Sequence, residues 1–335
     1  MKKIKVISEI GSNHNGDIEL AKKMIDVSKA CGANAVKFQT FKANEVVSKH
    51  APMAKYQEEN LNVREAQIDM LKKLELSEAA YEELFNYAKS LEIEMFSTPF
   101  DISSVDFLFS QGMKIWKIPS GEITNLPYLE HIAELQIKGK HVILSTGMAS
   151  LDEVETAAEV LHKGCDKMTI FHCNTNYPSF DEDLNLRAIE QLRNKFPYAD
   201  IGLSDHSEGI IGAIVGFGFD ISMIEKHFTL SKSLPGPDHP MSIEPYELEQ
   251  LCNAARRAEK MLGRKEKIVT DSEAPNRIWA RKSIVARTAI KKGELFTETN
   301  LTTKRPGSGV SPMRWHDILG SVAKRDFEAD EMIEI

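Results

Sequence analysis

The chain has 335 residues, enough for one large domain and one small domain. Its apolar content of 42%, charged content of 27% and formal net charge of −8 are typical of a globular protein and argue against a surface for nucleic acid or for an anionic membrane. The sequence contains no apolar run as long as a membrane span, and its four cysteines form no CxxC pair, so we expect a cytoplasmic protein with reduced thiols.

Short runs rich in β-branched residues alternate along the chain with longer stretches of helical periodicity. This alternation requires parallel strands, and eight strand-helix units that close on themselves form an α/β TIM barrel. We predict a (β/α)8 barrel over residues 1–265, with a doubly wound open sheet as the alternative. The strand candidates, in chain order, are KVISEI, AVKFQTF, EMFSTP, KIWKIPS, HVILST, KMTIFHC, DIGLSD and ISMIEKH.

Two segments depart from the alternation. Residues 42–76 follow the second strand and are too long for an ordinary connection, so we expect a loop over the active face. After the last long helix, a charged linker over residues 266–282 leads to a second unit, residues 283–335. Its short strands and its Gly- and Pro-rich RPGSG loop predict a compact mixed fold near the size at which a domain alone is marginally stable.

Two of the predicted strands lead into histidines, His206 and His227. Alternation along a strand places Ser204 and His206 on one face, which points into the barrel. Barrel enzymes carry their chemistry at the C-terminal ends of the strands, so the two imidazoles are expected to converge as ligands of one divalent cation. The alternative is that each is a hydrogen-bonded histidine of the core.

Further polar side chains stand at the ends of other predicted strands. Lysines and hydroxyls suit a phosphate or carboxylate group, because ammonium and hydroxyl donors neutralise and orient its oxygens. A cation held by imidazoles would act as a Lewis acid on a carbonyl. The alternative is a solvated rim with buried ion pairs. These residues are Glu9, Lys37, Gln39, Lys117, Ser120, Glu122, Ser145 and Tyr177.

Several motifs are distributed over nearly the whole chain, namely SEIGSNHNGD, AVKFQTF, FSTPFD, WKIPSGEITNLPYLE, VILSTGM, IGLSDHS, EKHFTL and PGPDHP. In these motifs the chain resembles the sialic acid synthase family, which comprises bacterial N-acetylneuraminate synthases and their legionaminic acid synthase relatives. The last fifty residues, with KRPGSG, resemble the antifreeze-protein-like (SAF) domain of these enzymes, which in the family is swapped across a homodimer.

The resemblance implies condensation of phosphoenolpyruvate with open-chain N-acetylmannosamine, giving sialic acid and phosphate by C–O cleavage. It also implies Mn²⁺ as cofactor, with Mg²⁺ and Co²⁺ as alternatives. It assigns the metal to His206 and His227; phosphoenolpyruvate to Lys37, Lys117, Ser120, Ser145 and Ser204; catalysis to Glu9 and Glu122; and the sugar to Gln39, Tyr177, Asp238 and Arg305 of the partner subunit.

The chain departs from the family pattern at positions that bear on the sugar. Residues 37–41 read KFQTF, with Phe38 and Phe41, where some N-acetylneuraminate synthases read KHQTH. The form KFQTF is also found among legionaminic acid synthases. Thr175 stands where better-known members of the family carry an asparagine. The alternative acceptor is therefore 2,4-diacetamido-2,4,6-trideoxymannose, which would give N,N'-diacetyllegionaminic acid. Two less favoured alternatives are a metal-dependent aldolase that uses pyruvate and a non-catalytic sugar-binding protein.

Overall fold

The computed structural model describes residues 3–63 and 65–335. The first unit contains one sheet of eight parallel strands in the order β3-β2-β1-β8-β7-β6-β5-β4, and β3 also lies beside β4, so the sheet curves into a barrel. The predicted TIM barrel is confirmed. The strands are β1 (Lys5–Gly11), β2 (Ala35–Thr40), β3 (Glu94–Pro99), β4 (Ile115–Ile118), β5 (His141–Ser145), β6 (Lys167–Cys173), β7 (Asp200–Asp205) and β8 (Met223–His227).

Helices cover the outer face of the strands, as the apolar strand sequences require. Every residue of β5 and β8 is buried, because a parallel sheet is covered on both faces. The helices of this unit are α1 (Ile18–Ala30), α2 (Ala43–Val46), α3 (Lys55–Leu61), α4 (Gln67–Leu74), α5 (Glu78–Ser90), α6 (Ile102–Ser110), α7 (Leu126–Glu134), α8 (Leu151–His162), α9 (Ala188–Lys195), α10 (Ile211–Phe217) and α11 (Pro245–Leu262). Among the described residues, no helix is long and apolar enough to cross a membrane.

The connection between β2 and α5 is a helical insert rather than the open loop that we expected. It contains α2, α3 and α4, and α4 buries Ile68, Met70 and Leu74. Burial of these apolar side chains stabilises helical structure that the polar composition of the segment obscures.

The second unit runs from Arg264 to Ile335 and has a hydrophobic core of its own. The segment predicted as a linker falls within it and contains α12 (Asn276–Ala280), which is followed by an antiparallel pair, β9 (Ser283–Ala286) and β10 (Leu301–Lys304), and by α13 (Trp315–Ile318). Its buried core residues are Ile284, Ala286, Ile290, Phe296, Leu301, Ile318, Ala323, Phe327 and Ile333.

Candidate active site

The register of the strands aligns polar side chains at the C-terminal end of the barrel. Glu9 on β1 is opposite Lys37 on β2 and opposite His227 on β8. Ser204 on β7 is opposite Glu225 on β8. Since residues in register on neighbouring parallel strands point to the same face, these side chains converge inside the barrel.

Two lysines and two glutamates form a buried ion cluster. The Nζ atom of Lys37 lies 2.9 Å from Glu9 Oε2 and 3.5 Å from Glu225 Oε1, and Lys117 Nζ lies 3.4 Å from the same Glu225 oxygen. None of the four residues is more than 4% exposed. Burial of charges is unfavourable unless they are paired, and this cluster pairs two cations with two carboxyl groups.

The carboxyl groups of the cluster differ in proton affinity. Burial raises the pKa of Glu9 to about 7, an effect opposed by Lys37 and reinforced by the charge of Glu225. Burial alone would also raise the pKa of Glu225, but Lys117 and Lys37 hold it below its usual range. Glu225 is therefore ionised, whereas Glu9 can accept or release a proton near neutral pH.

Gly11 permits the close packing of this cluster at the end of β1. Its φ is +53°, and a Cβ atom there would lie 2.9 Å from both Gln39 Nε2 and Glu9 Oε1. These two atoms are hydrogen-bonded to each other at 2.9 Å, with the Gln39 amide donating. Any side chain at position 11 would therefore be strained and would displace this pair.

The two histidines predicted as metal ligands lie beside each other. Their ring centroids are 5.3 Å apart. The Nδ1 atom of His206 lies 2.6 Å from the carbonyl oxygen of Asn174, which can only accept, so Nδ1 carries a hydrogen and Nε2 is the atom available to a cation. Burial opposes protonation of His206, but Cys173 and Asn174 raise its pKa overall, so a cation would compete with a proton at Nε2.

His227 is suited to bind a cation as a neutral imidazole. Burial, followed by the charges of His206 and Lys37, holds its pKa well below the usual range. Its Nδ1 atom is buried and has no hydrogen-bond partner among the described residues. Within residues 3–63 and 65–335, no group of three or more His, Cys, Asp or Glu side chains could hold a metal. A cation at the two histidines would therefore take its other ligands from water or substrate.

Hydroxyl groups surround the lysines. Ser204 Oγ donates to Glu225 Oε1 at 3.3 Å, and Ser120 Oγ accepts from the amide of Gly147 at 3.0 Å. The Oγ atom of Ser145 is buried without a partner among the described residues. Buried polar atoms in native proteins are nearly always hydrogen-bonded, so Ser145 Oγ is well suited to bind a polar ligand.

A cavity of about 240 Å³ adjoins His227. Four predicted site residues line it, namely Gln39, Tyr177, Asp238 and His227 itself. Ser12 Oγ donates to Asp238 Oδ2 at 3.0 Å. The ring of Tyr177 lies 4.3 Å from that of His206, centroid to centroid. Three of the residues expected to contact the sugar, Gln39, Tyr177 and Asp238, thus line one cavity beside the histidine pair.

One predicted site residue of the barrel, Glu122, is not in contact with this cluster. Glu122 is half-buried in the turn after β4, where its carboxylate accepts from Asn125 Nδ2 at 2.6 Å. A turn after a strand points its side chains outward as readily as inward, which explains this departure from the prediction. Arg305 is exposed in the second unit, where its Nε donates to Ala280 O at 3.1 Å.

The sequence analysis missed Glu225, the carboxylate that both lysines contact. Its signal was present, because Glu225 precedes His227 by two residues on β8 and so shares its face. It also missed Thr98, which accepts from Lys37 Nζ at 3.0 Å, and Tyr56, which lines the cavity from the helical insert.

Comparison with known proteins gives the family of the chain. The NeuB family profile matches residues 24–267, and the SAF domain profile matches residues 281–334. N,N'-diacetyllegionaminic acid synthase of Campylobacter jejuni subsp. jejuni serotype O:2 is 48% identical over 336 residues, which cover 99% of each chain. The enzyme of the same name from Legionella pneumophila is 44% identical over 94% of this chain and 89% of its own.

A solved structure agrees with these matches. The crystal structure of N-acetylneuraminic acid (sialic acid) synthetase from Leptospira borgpetersenii serovar Hardjo-bovis, in complex with citrate, has a TM-score of 0.71 and 34% identity, and covers 82% of this chain and 90% of its own. The barrel, its site and these similarities lead to one conclusion: the chain belongs to the NeuB family of sialic acid synthase-type enzymes and carries a C-terminal SAF domain.

Proposed function

We propose that this enzyme condenses phosphoenolpyruvate with open-chain 2,4-diacetamido-2,4,6-trideoxymannose to give N,N'-diacetyllegionaminic acid and phosphate. The observation that carries the proposal is the 48% identity, over 99% of both chains, with a synthase of that name. N-acetylmannosamine, which would give N-acetylneuraminate, is the second candidate acceptor. It is supported by the similarity to a sialic acid synthetase structure at 34% identity.

Phosphoenolpyruvate would bind at the lysines of the ion cluster. Its phosphate and carboxylate are anions, and the ammonium groups of Lys37 on β2 and Lys117 on β4 are buried cations. The hydroxyls of Ser120, Ser145 and Ser204 would orient the anionic oxygens, and Ser145 Oγ has no competing partner among the described residues.

The reaction forms a C–C bond at C3 and a C–O bond between water and C2, and it breaks the C–O bond between C2 and phosphate. The enol carbon C3 attacks the sugar aldehyde, whose oxygen takes up a proton, and C2 becomes an oxocarbenium centre. One water molecule adds at C2, and phosphate then leaves with the bridging oxygen. Glu225, held ionised by the lysines, would stabilise the cation at C2, and Glu9, with a pKa of about 7, would take the proton from the water.

His206 and His227 would hold the divalent cation, for which Mn²⁺ is the first candidate and Mg²⁺ and Co²⁺ are alternatives. Among the residues that the structure describes, the buried Nδ1 atom of His227 has no hydrogen-bond partner, and His206 presents its Nε2 atom; both fit such a ligand pair. When bound, the cation supplies Lewis-acid polarisation of the aldehyde carbonyl.

Gln39, Tyr177 and Asp238 would contact the sugar hydroxyls from the cavity wall. We further propose that Arg305 of the partner subunit binds the N-acetyl group in a domain-swapped homodimer. Mixing inactive His227→Ala chains with inactive Arg305→Ala chains tests this. A swapped dimer should recover about a quarter of wild-type activity, since random pairing joins one intact barrel to one intact arginine in half of the dimers. Recovery of none would place Arg305 in the site of its own subunit.

The test of the reaction is phosphate release from phosphoenolpyruvate by the Mn²⁺-loaded enzyme, with both sugars in parallel. A higher kcat/KM with the diacetamido sugar supports the proposal, and a higher value with N-acetylmannosamine reverses the choice of acceptor. An ¹⁸O label in the bridging oxygen should appear in the phosphate if the C–O bond breaks. Formation of product from pyruvate, without phosphate release, would indicate an aldolase instead. The absence of phosphate release with both sugars would refute the synthase activity.

A further inference from the structure

The cavity beside His227 has an extended apolar wall. The helical insert and the ends of β2 and β3 supply it. The polar residues of the lining are Ser12, Gln39, Tyr56, Gln57, Gln67, Tyr177, His227 and Asp238, of which Tyr56, Gln57 and Gln67 also belong to the insert. We call the following residues the apolar wall: Phe41, Val46, Val47, Met70, Leu71, Leu74 and Phe100.

The apolar wall is packed from behind and still presents surface to the cavity. Phe41 and Leu74 are buried, and the Phe41 ring meets the Phe100 ring edge-on at 6.4 Å. Val46, Val47 and Phe100 are only half-buried. A preformed surface of this kind gains free energy when an apolar group of a ligand covers it.

The described lining is also poor in charge. None of the described residues that line the cavity is a lysine or an arginine, and Asp238 is its carboxylate. A negatively charged group on a ligand would therefore meet no cation within this lining. Neutral polar side chains, among them Gln57 and Gln67, line other parts of the cavity. A hydroxyl placed against the apolar wall, away from these side chains, would lose its water without gaining a partner.

We infer, on the basis of the proposed function, that the apolar wall is the subsite for the C5–C6 end of the acceptor sugar and selects a 6-methyl over a 6-hydroxymethyl group. The aldehyde carbon must lie near His227 to react, so the far end of the open chain extends along the cavity. A methyl group there buries apolar surface, whereas a hydroxymethyl group is desolvated at a loss.

The experiment compares N-acetylmannosamine with its 6-deoxy analogue, which differs by one hydroxyl, and with the 2,4-diacetamido-6-deoxy sugar. The wild-type enzyme should favour the 6-deoxy analogue over N-acetylmannosamine by about tenfold in kcat/KM. The variant Val46→Thr/Val47→Thr keeps the shape of the wall but adds hydroxyls, and should reduce that ratio to about twofold. Val63→Thr is the matched control, since Val63 lies in the same insert, is 48% exposed and does not line the cavity.

The outcomes separate this inference from the proposed function. A wild-type-like urea unfolding transition shows that the double variant is folded, and a reduced ratio then supports the subsite. An unchanged ratio in an active double variant, or an equal change in Val63→Thr, overturns the subsite alone. No phosphate release by the wild-type enzyme with any of the three sugars overturns the proposed function and the subsite together.

Discussion

The buried ion pair between Asp205 and Lys226 should position both histidines of the site. Lys226 Nζ lies 2.9 Å from Asp205 Oδ2, with side chains 1% and 0% exposed. The two residues are in register on β7 and β8 and immediately precede His206 and His227. Because side chains alternate along a strand, the pair lies behind the sheet that presents the imidazoles and joins the two strand ends.

Lys226→Met should therefore affect both stability and catalysis. The substitution leaves the Asp205 carboxylate buried without its cation. The carboxylate still accepts hydrogen bonds from the amide of Ser207 at 2.8 Å and from the Ser207 hydroxyl at 2.7 Å. Removal of one member of a buried pair costs about 3–5 kcal/mol of the free energy of unfolding. The double variant Asp205→Asn/Lys226→Met removes both charges and should recover most of that loss.

The assay is urea unfolding of the wild type, of Asp205→Asn and Lys226→Met separately, and of the double variant. The kcat and the Mn²⁺ affinity are then measured under conditions where each protein is folded. A displacement of about 1 Å at the histidines would lower kcat by about 100-fold. The control is Lys195→Met, which removes a 2.5 Å pair with Glu155 whose side chains are 38% exposed and should cost less than about 1 kcal/mol. A Lys226→Met loss no larger than that of the control would refute the energetic argument. Unchanged kcat and Mn²⁺ affinity would refute the positioning role.

Three further predictions concern the site and the pH dependence of stability. His206→Ala and His227→Ala should each reduce phosphate release to background and abolish stoichiometric Mn²⁺ binding measured by electron paramagnetic resonance. Both variants should retain the unfolding transition. Wild-type activity in either variant would refute the assignment of the two histidines as metal ligands. Glu225→Gln keeps the shape but removes the stabilising charge, so kcat should fall by about 100- to 1,000-fold, and a change below tenfold would contradict its role. Burial, followed by the charge of Lys167, lowers the pKa of His141 to about 4 from 6.5. As pH falls, His141 therefore takes up a proton in the unfolded state before it does so in the folded state. The free energy of unfolding of the wild type, relative to that of His141→Gln, should decrease as pH falls from 6.5 to 4. A difference between the two that stays constant over this range in urea unfolding would contradict the prediction.

The sequence alone determined the eight barrel strands and the polar positions at several of their C-terminal ends. All eight barrel strands could be read from local periodicity, because each parallel strand is buried on both faces and its apolar run is bounded by polar turns. The positions of Glu9, Lys37 and Lys117 at strand ends were likewise visible, since alternation along a strand is a local property.

Only the tertiary structure decided which of these residues meet. Lys117 and Glu225 are 108 positions apart in sequence, and their contact depends on the register of several strands around the barrel. The pKa of Glu9 depends on burial by the whole barrel, and the exclusion of Glu122 from the cluster depends on the course of one turn. The helical insert contributes most of the apolar wall because its helices pack against neighbouring elements, and such long-range packing is not encoded in the local pattern of the segment.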